Sequence, residues 1–211
     1  GEHFNLASAP LGIRPVQKPL PKIFIAGQLQ NETVQAKIAK NGYVPFIAQH
    51  HRPASALIEQ RQRLEKIWQA SGKHSGDLQM ATQRFVFVTK NKEEEMEAAE
   101  HIRYTLRIAL GLRFGTATLS GSTLNEVPAP NEPSLEDILQ TAPIGSPERV
   151  AEVLSNDIST IKPSQISFIA QFGGMEQDKA MRSLDLFGSE VLPLLRKEHG
   201  DLKEKDAVSA A

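Results

Sequence analysis

The chain has 211 residues, 40% of them hydrophobic and 23% charged, with a formal net charge of -1 and no cysteine. That balance suits one or two globular domains and excludes disulfides, thiolate nucleophiles and thiolate metal sites. A charge so near zero gives no ground for expecting nucleic-acid or anionic-membrane binding.

No apolar run approaches the ~20 residues that a spanning helix needs. No charged-then-apolar signal segment opens the chain, so a cytoplasmic location is expected. The sequence starts at Gly1 rather than Met, as a processed terminus, a tag remnant or a fragment would.

Residues 1–21 read as extended coil, because Pro10, Pro15, Pro19 and Pro21 exclude helix there. The first predicted strand is residues 22–26 (KIFIA), ended by Gly27. Asn31 is a fitting N-cap for a helix over residues 32–40, with Gly42 as its stop. The second strand is residues 43–48 (YVPFIA), although Pro45 cannot donate to a ladder. A helix over residues 53–71 follows, with Leu57, Leu64 and Trp68 on one face. The third strand is residues 84–89 (RFVFVT). A long helix over residues 93–110 comes next, its stripe formed by Met96, Ala99, Ile102, Leu106 and Leu110.

Residues 113–144 break the pattern with Gly, Ser, Thr and Asn, punctuated by Pro128, Pro130 and Pro133, and read as an exposed, mobile excursion with a short helix at residues 135–140. Ser146 as N-cap and Pro147 at N1 then open a helix with the stripe Val150, Val153, Leu154, Ile158 and Ile161. The fourth strand is residues 165–170 (QISFIA). The last helix covers residues 178–197, with Met181, Leu184, Phe187, Val191 and Leu195 facing inward and Pro193 distorting it. Residues 198–211 are expected to be a frayed tail.

Four strand–helix units imply right-handed crossovers and a parallel sheet, either a small doubly wound sheet or half of an eight-unit barrel. Both put ligands at the carboxyl ends of the strands. Candidate site residues therefore cluster in the loop of residues 27–33, at Gln49, His50 and His51, at Lys90 and Asn91, and at Gln171, Phe172, Gly173 and Gly174. The first loop, AGQLQNET, offers Gly27 for close backbone approach and Gln28, Asn31 and Thr33 as side-chain donors ahead of a helix N-terminus, which suits a phosphate. From the residues alone it reads more readily as an ordinary strand–helix connection with an Asn cap, since every such loop shares some of this character. His50 and His51 suit acid, base or ligand roles, or are plain loop histidines. No carboxylate or cysteine near them in sequence completes a metal site. Gly173 and Gly174 allow approach to a ligand or simply a tight turn.

The stretch GSPERVAEVL, ISFIAQFGG and SLDLFGSEVLPLLR, taken in that order, resembles the closing segment of the bacterial luciferase-like flavin-dependent monooxygenases. GEHFNL and RPVQKPLPKIFIAG resemble the lead-in to that family's fifth strand, IAKNGYVPF its turn into the sixth, and QRFVFVTKNKEEEMEAA its seventh strand and following helix. The resemblance implies an α/β fold of (β/α)8 TIM-barrel type, of which residues 1–211 hold only the C-terminal half, about four βα units. It favours a fragment. It implies reduced FMN, or a deazaflavin, at the barrel mouth, with reducing equivalents supplied by a separate NAD(P)H-dependent flavin reductase, and dioxygen chemistry on a small organic substrate.

By the same resemblance Gly27, Gln28, Asn31 and Thr33 hold the flavin phosphate, and the 113–144 excursion acts as a lid. Here Gln28 and Asn31 stand near where a hydroxyl is usual, leaving Thr33 as the hydroxyl of the loop. Gln49, His50, Gln171 and Phe172 are the substrate or lid candidates. No catalytic residue is assigned, because the missing strands carry most of the ring contacts. The chain is therefore expected to be inactive alone, its partners being a flavin reductase and either the missing N-terminal half or further copies of itself. A non-catalytic flavin- or phosphate-binding half-barrel and a self-associating scaffold are the alternative readings.

Overall fold

A computed structural model describes residues 3, 5, 12–27 and 30–201. Expectations for Gln28, for most of residues 1–11 and for residues 202–211 lie outside them.

The first strand, β1, is Phe24–Ala26, shorter than the KIFIA run. Helix α1 spans Glu32–Asn41. Asn31 caps it by accepting from the Val34 N–H, and Gly42 ends it in the left-handed region at φ 68°, as the residue types require. Strand β2 is Val44–His50. Pro45 survives inside it because its missing N–H points toward the third strand, and that pairing starts only at Phe46↔Ala81.

A 3₁₀ turn at Ala54–Leu57 leads into α2, Ile58–Ala70. Strand β3, Ala81–Phe85, continues after Val86 as β4, Phe87–Val88. It begins earlier than hydrophobicity suggests, because the polar side chains of Thr82 and Arg84 are buried in it. Helix α3 runs over Lys92–Phe114, capped by Asn91 and stopped by Gly115 at φ 67°.

The 113–144 excursion has internal order. Strands β5 (Thr118–Ser120) and β6 (Thr123–Asn125) form an antiparallel hairpin. Helix α4, Leu135–Thr141, carries a full capping box between Ser134 and Asp137. Strand β7, Ile144–Gly145, pairs with β4. Arg107 of α3 ties the excursion down through Glu126 (3.3 Å) and Glu132 (2.8 Å).

Helix α5 is Pro147–Ile161, capped by Ser146, and its expected stripe is buried apart from the half-buried Ile158. Strand β8, Gln165–Ile169, precedes α6, Gln177–Leu186. A π-helical turn at Phe187–Val191 links α6 to α7, Leu192–His199, where Pro193 sits in the first turn. The extra residue of the π turn rotates α6 relative to α7. This corrects the inward face expected for the last helix. Ala180 and Ser183 are buried, whereas Met181 and Leu184 are exposed. Met96 of α3 is likewise exposed, and Ala98 takes its inward place.

The main sheet has the order β1-β2-β3-β8 with all three pairings parallel. Side-chain alternation divides it into two faces. One carries Ile25 and Ile47 against α1 and α2, in a cluster that includes Leu57, Leu64, Trp68, Met80 and Ile161. Val86 and Val88 pack on α5 and α7 through Val150, Leu154, Val191 and Leu195. On the other face Phe85 and Phe87 meet α3 and α4 through Ala98, Ala99, Ile102 and Ile138. Further down that same face, Phe24 and Phe46 touch edge-on at 6.4 Å, and Ala48 is exposed.

Gly173 stands at φ 61° against α3. A Cβ there would lie 2.3 Å from the His101 carbonyl oxygen. The glycine thus serves contact between the loop after β8 and a helix backbone. Gly173→Ala is expected to destabilise the fold by about 2 kcal/mol or more, from backbone strain plus the clash; urea unfolding checks this, and an unchanged midpoint would refute it.

Candidate functional site

The carboxyl end of the sheet is built by β2, β3 and the loop after β8. Near its end β2 contains a bulge: Ala48 pairs with Gln83, but His50 pairs with Arg84, so Gln49 is the inserted residue. Alternation then sends Gln49 to the helix layer and His50 to the opposite face. His50 holds φ 58°, a left-handed conformation rare for a residue with a Cβ. Its ring lies 5.1 Å from that of Phe85, and Phe85 lies 4.9 Å from Phe172. Three aromatic rings from β2, β3 and the β8 loop therefore line up, with His50 half-buried at the rim and Phe85 and Phe172 buried behind it. The structure brings together His50 and Phe172, two of the four substrate or lid candidates, with Phe85 between them.

The other two candidates go elsewhere. Gln49 is fully buried, and its amide donates to Asp157 Oδ1 (3.0 Å) and to the Arg52 carbonyl (3.1 Å). Gln171 is exposed and donates to the Met175 carbonyl, closing its own loop.

Behind the rim sits a group that sequence reasoning missed. Arg84 has no exposed surface. Its Nε lies 3.0 Å from Asp157 Oδ2, at ion-pair distance though off hydrogen-bond alignment. Its two terminal nitrogens donate to the carbonyls of His50 (3.2 Å), Arg52 and Thr141 (2.9 Å). Burial pulls the Arg84 guanidinium down to about 10, and Asp157 opposes that shift. Burial raises the Asp157 carboxyl, with Arg84 and Gln49 opposing. A sequence signal existed, since Asp157 falls inside the apolar stripe between Leu154 and Ile161. A carboxylate there needs a buried partner.

Desolvation also acts on the histidines. Burial, then Arg52, lowers His50 below its ordinary value. Burial, then His50, Arg52 and Arg84, pulls His51 down to about 4. Both imidazoles are therefore neutral at neutral pH, with one N–H and one lone pair each.

The loop proposed for phosphate is only partly built from the expected groups. Gly27 is left-handed at φ 72° with open space where a Cβ would stand. Asn31 Oδ1 is committed to capping (3.1 Å to Val34 N). The N–H groups of Glu32 and Thr33, the first two helical residues, have no acceptor within α1. Thr33 is exposed. Arg63 of α2 adds a cation, donating to the Gln30 carbonyl (3.1 Å) and to Glu32 Oε1 (3.2 Å). A glycine, two helix-end donors, a hydroxyl and a guanidinium fit a phosphate, while the Glu32 carboxylate opposes one.

Comparisons with known proteins decide the family. A sequence model described as luciferase-like monooxygenase matches residues 1–156. The chain belongs to that family. An uncharacterized protein of Sinorhizobium fredii is 24% identical over 201 residues, 95% of this chain and 57% of the relative. The EDTA monooxygenase of Chelativorans sp. BNC1 superposes with TM-score 0.61 at 15% identity, covering 98% of this chain and 51% of that one. The oxygenating constituent of 3,6-diketocamphane monooxygenase from Pseudomonas putida, solved in complex with FMN, gives 0.57 at 17% identity, over 83% and 49%. The chain thus spans about half the length of the relatives it matches.

Two outcomes follow. Asp157→Ala strands the Arg84 charge and is expected to cost about 3–5 kcal/mol, whereas Arg84→Met with Asp157→Leu stays within about 2 kcal/mol of wild type; chemical denaturation of both variants tests the difference. The second concerns pH. Unfolded histidine binds protons below about 6.5, but folded His51 does not until about 4. The stability linked to His51 is therefore full above 6.5 and falls as pH drops toward 4. Melting temperatures from pH 8 to 4 should show this slope, and His51→Gln should flatten it.

Proposed function

We propose that this chain is the C-terminal half of a flavin-dependent monooxygenase barrel, holding one wall of the cofactor site and unable to turn over alone. The observation that carries the reading is the family match together with four parallel strands delivering their loops to one rim. Coverage of only half of each relative supports the half-barrel.

In this reading Gly27, Thr33 and Arg63 take the phosphate, with Asn31 holding the helix start in shape and Gln28 in the same loop. Half-buried His50 presents the wall for the planar ring, with the buried Phe85 and Phe172 packed behind it. Neutral His50 offers hydrogen bonding without adding charge. Gln49 and Gln171 support the rim from behind and from the side. Reduced FMN, or a deazaflavin in its place, would supply the electrons for oxygenating a small organic substrate, after delivery by an NAD(P)H-dependent reductase. The hairpin and α4 would cover the mouth.

Titrating FMN with the chain should quench its fluorescence saturably, and Thr33→Ala and Arg63→Ala should each raise the Kd by roughly 5–10-fold, about 1–1.4 kcal/mol. No quenching at about 1 mM protein, a Kd limit near -4 kcal/mol, would defeat the phosphate assignment. Steady oxygenation by the chain with a reductase would defeat the claim of inactivity.

Association is the second reading. Among the described residues β1 and β8 are the outer strands of the sheet, and Ile13, Val16, Leu20, Ile23 and Phe24, in and before β1, are exposed. The open face would take the complementary half or a second copy. Sedimentation should show mass rising with concentration, and Phe24→Asp should suppress it.

A further inference from the structure

We infer that Arg84 is the positioning residue of the rim: it holds His50 in its left-handed conformation and couples the lid segment to the ring wall. The claim rests on the rim being the ligand end, but on no assumption about which ligand binds.

The geometry is specific. Arg84 lies on β3 with its side chain in the helix layer, while the ring wall is on the opposite face. Its guanidinium reaches four oxygens, three carbonyls and one carboxylate, on three separate pieces of chain. Two are the carbonyls of His50 and Arg52, which flank His51 just after the bulge. The third is the Thr141 carbonyl at the C-terminal end of α4. The fourth is Asp157 of α5. No other side chain type offers a planar fork of five donors. A lysine keeps the charge but cannot span these positions at once.

The bulge needs such a holder. Left-handed backbone at a histidine persists only where the surroundings over-determine it. Here a backbone turn bond, from the Arg52 N–H to the Gln49 carbonyl (3.1 Å), is joined by side chains: Arg84 grips the His50 carbonyl, Gln49 grips the Arg52 carbonyl (3.1 Å), and Arg52 Nη2 grips the Ala48 carbonyl (2.9 Å). Asp157 joins them by taking both Arg84 and Gln49. Through Thr141 the same guanidinium meets the end of the excursion that precedes β7. A shift of α4 therefore moves Arg84 and with it the His50 backbone. Lid position and ring-wall geometry share one cation.

The test reads geometry, not flavin, so its failure is separate from failure of the cofactor reading. Two variants are made in the 211-residue chain: Arg84→Lys, and Arg84→Met combined with Asp157→Leu, which leaves no orphan charge. NMR of the His50 imidazole protons reports stacking on Phe85 through the ring-current shift, and amide hydrogen exchange reports α4. In both variants the His50 signals are expected to move to ordinary, unstacked positions, and α4 amides to exchange about tenfold faster, with α1 amides unchanged. Wild-type His50 shifts and α4 exchange in either folded variant would overturn the inference. Equal loss of protection in α1 and α4 would overturn it too, by making Arg84 a general core residue.

Discussion

A charged pair sealed between sheet and helix is the constraint on which the rest of the rim depends. Arg84 and Asp157 lie 3.0 Å apart with essentially no water contact. Such a pair adds little net stability over an apolar replacement, because desolvation offsets the attraction. What it adds here is direction. The terminal nitrogens of the guanidinium are aimed at carbonyls where β2 and α4 end, while its Nε faces Asp157 inside α5.

Two local irregularities set which side chains reach that site. The bulge at Gln49 keeps one polar side chain in the helix layer and leaves His50 against Phe85. The π turn at Phe187–Val191 rephases the last helix, so that Ser183 rather than Leu184 faces the sheet, where its Oγ accepts from the Val88 N–H at 2.8 Å. Phe187 meets Phe168 of β8 at 4.9 Å. Each irregularity exchanges regular backbone pairing for a particular side-chain placement.

Much of the architecture was legible in the residues. Asn31 with Gly42, and Ser146 with Pro147, marked helix ends that the structure repeats almost to the residue, because caps act through local hydrogen bonds. The bounds of β8 and most of the α5 stripe were equally plain. What sequence could not supply was pairing at a distance. Arg84 and Asp157 are 73 positions apart (157 − 84), and neither reveals its partner in sequence. The commitment of Gln49 to Asp157 was hidden for the same reason. The 113–144 stretch was legible in part: the short helix expected at residues 135–140 is α4, capped by Ser134, whereas prolines and glycines concealed the hairpin that turns at Gly121.

The way that stretch is fastened has an evolutionary consequence. It departs after β4, by way of α3, and returns as Ile144–Gly145 paired to β4 itself, with Phe87 opposite Ile144. Departure and return thus share one anchor. Insertions or deletions between them change the hairpin and α4 without shifting β4 beneath, so the excursion is free to vary in length and shape while the sheet keeps its geometry.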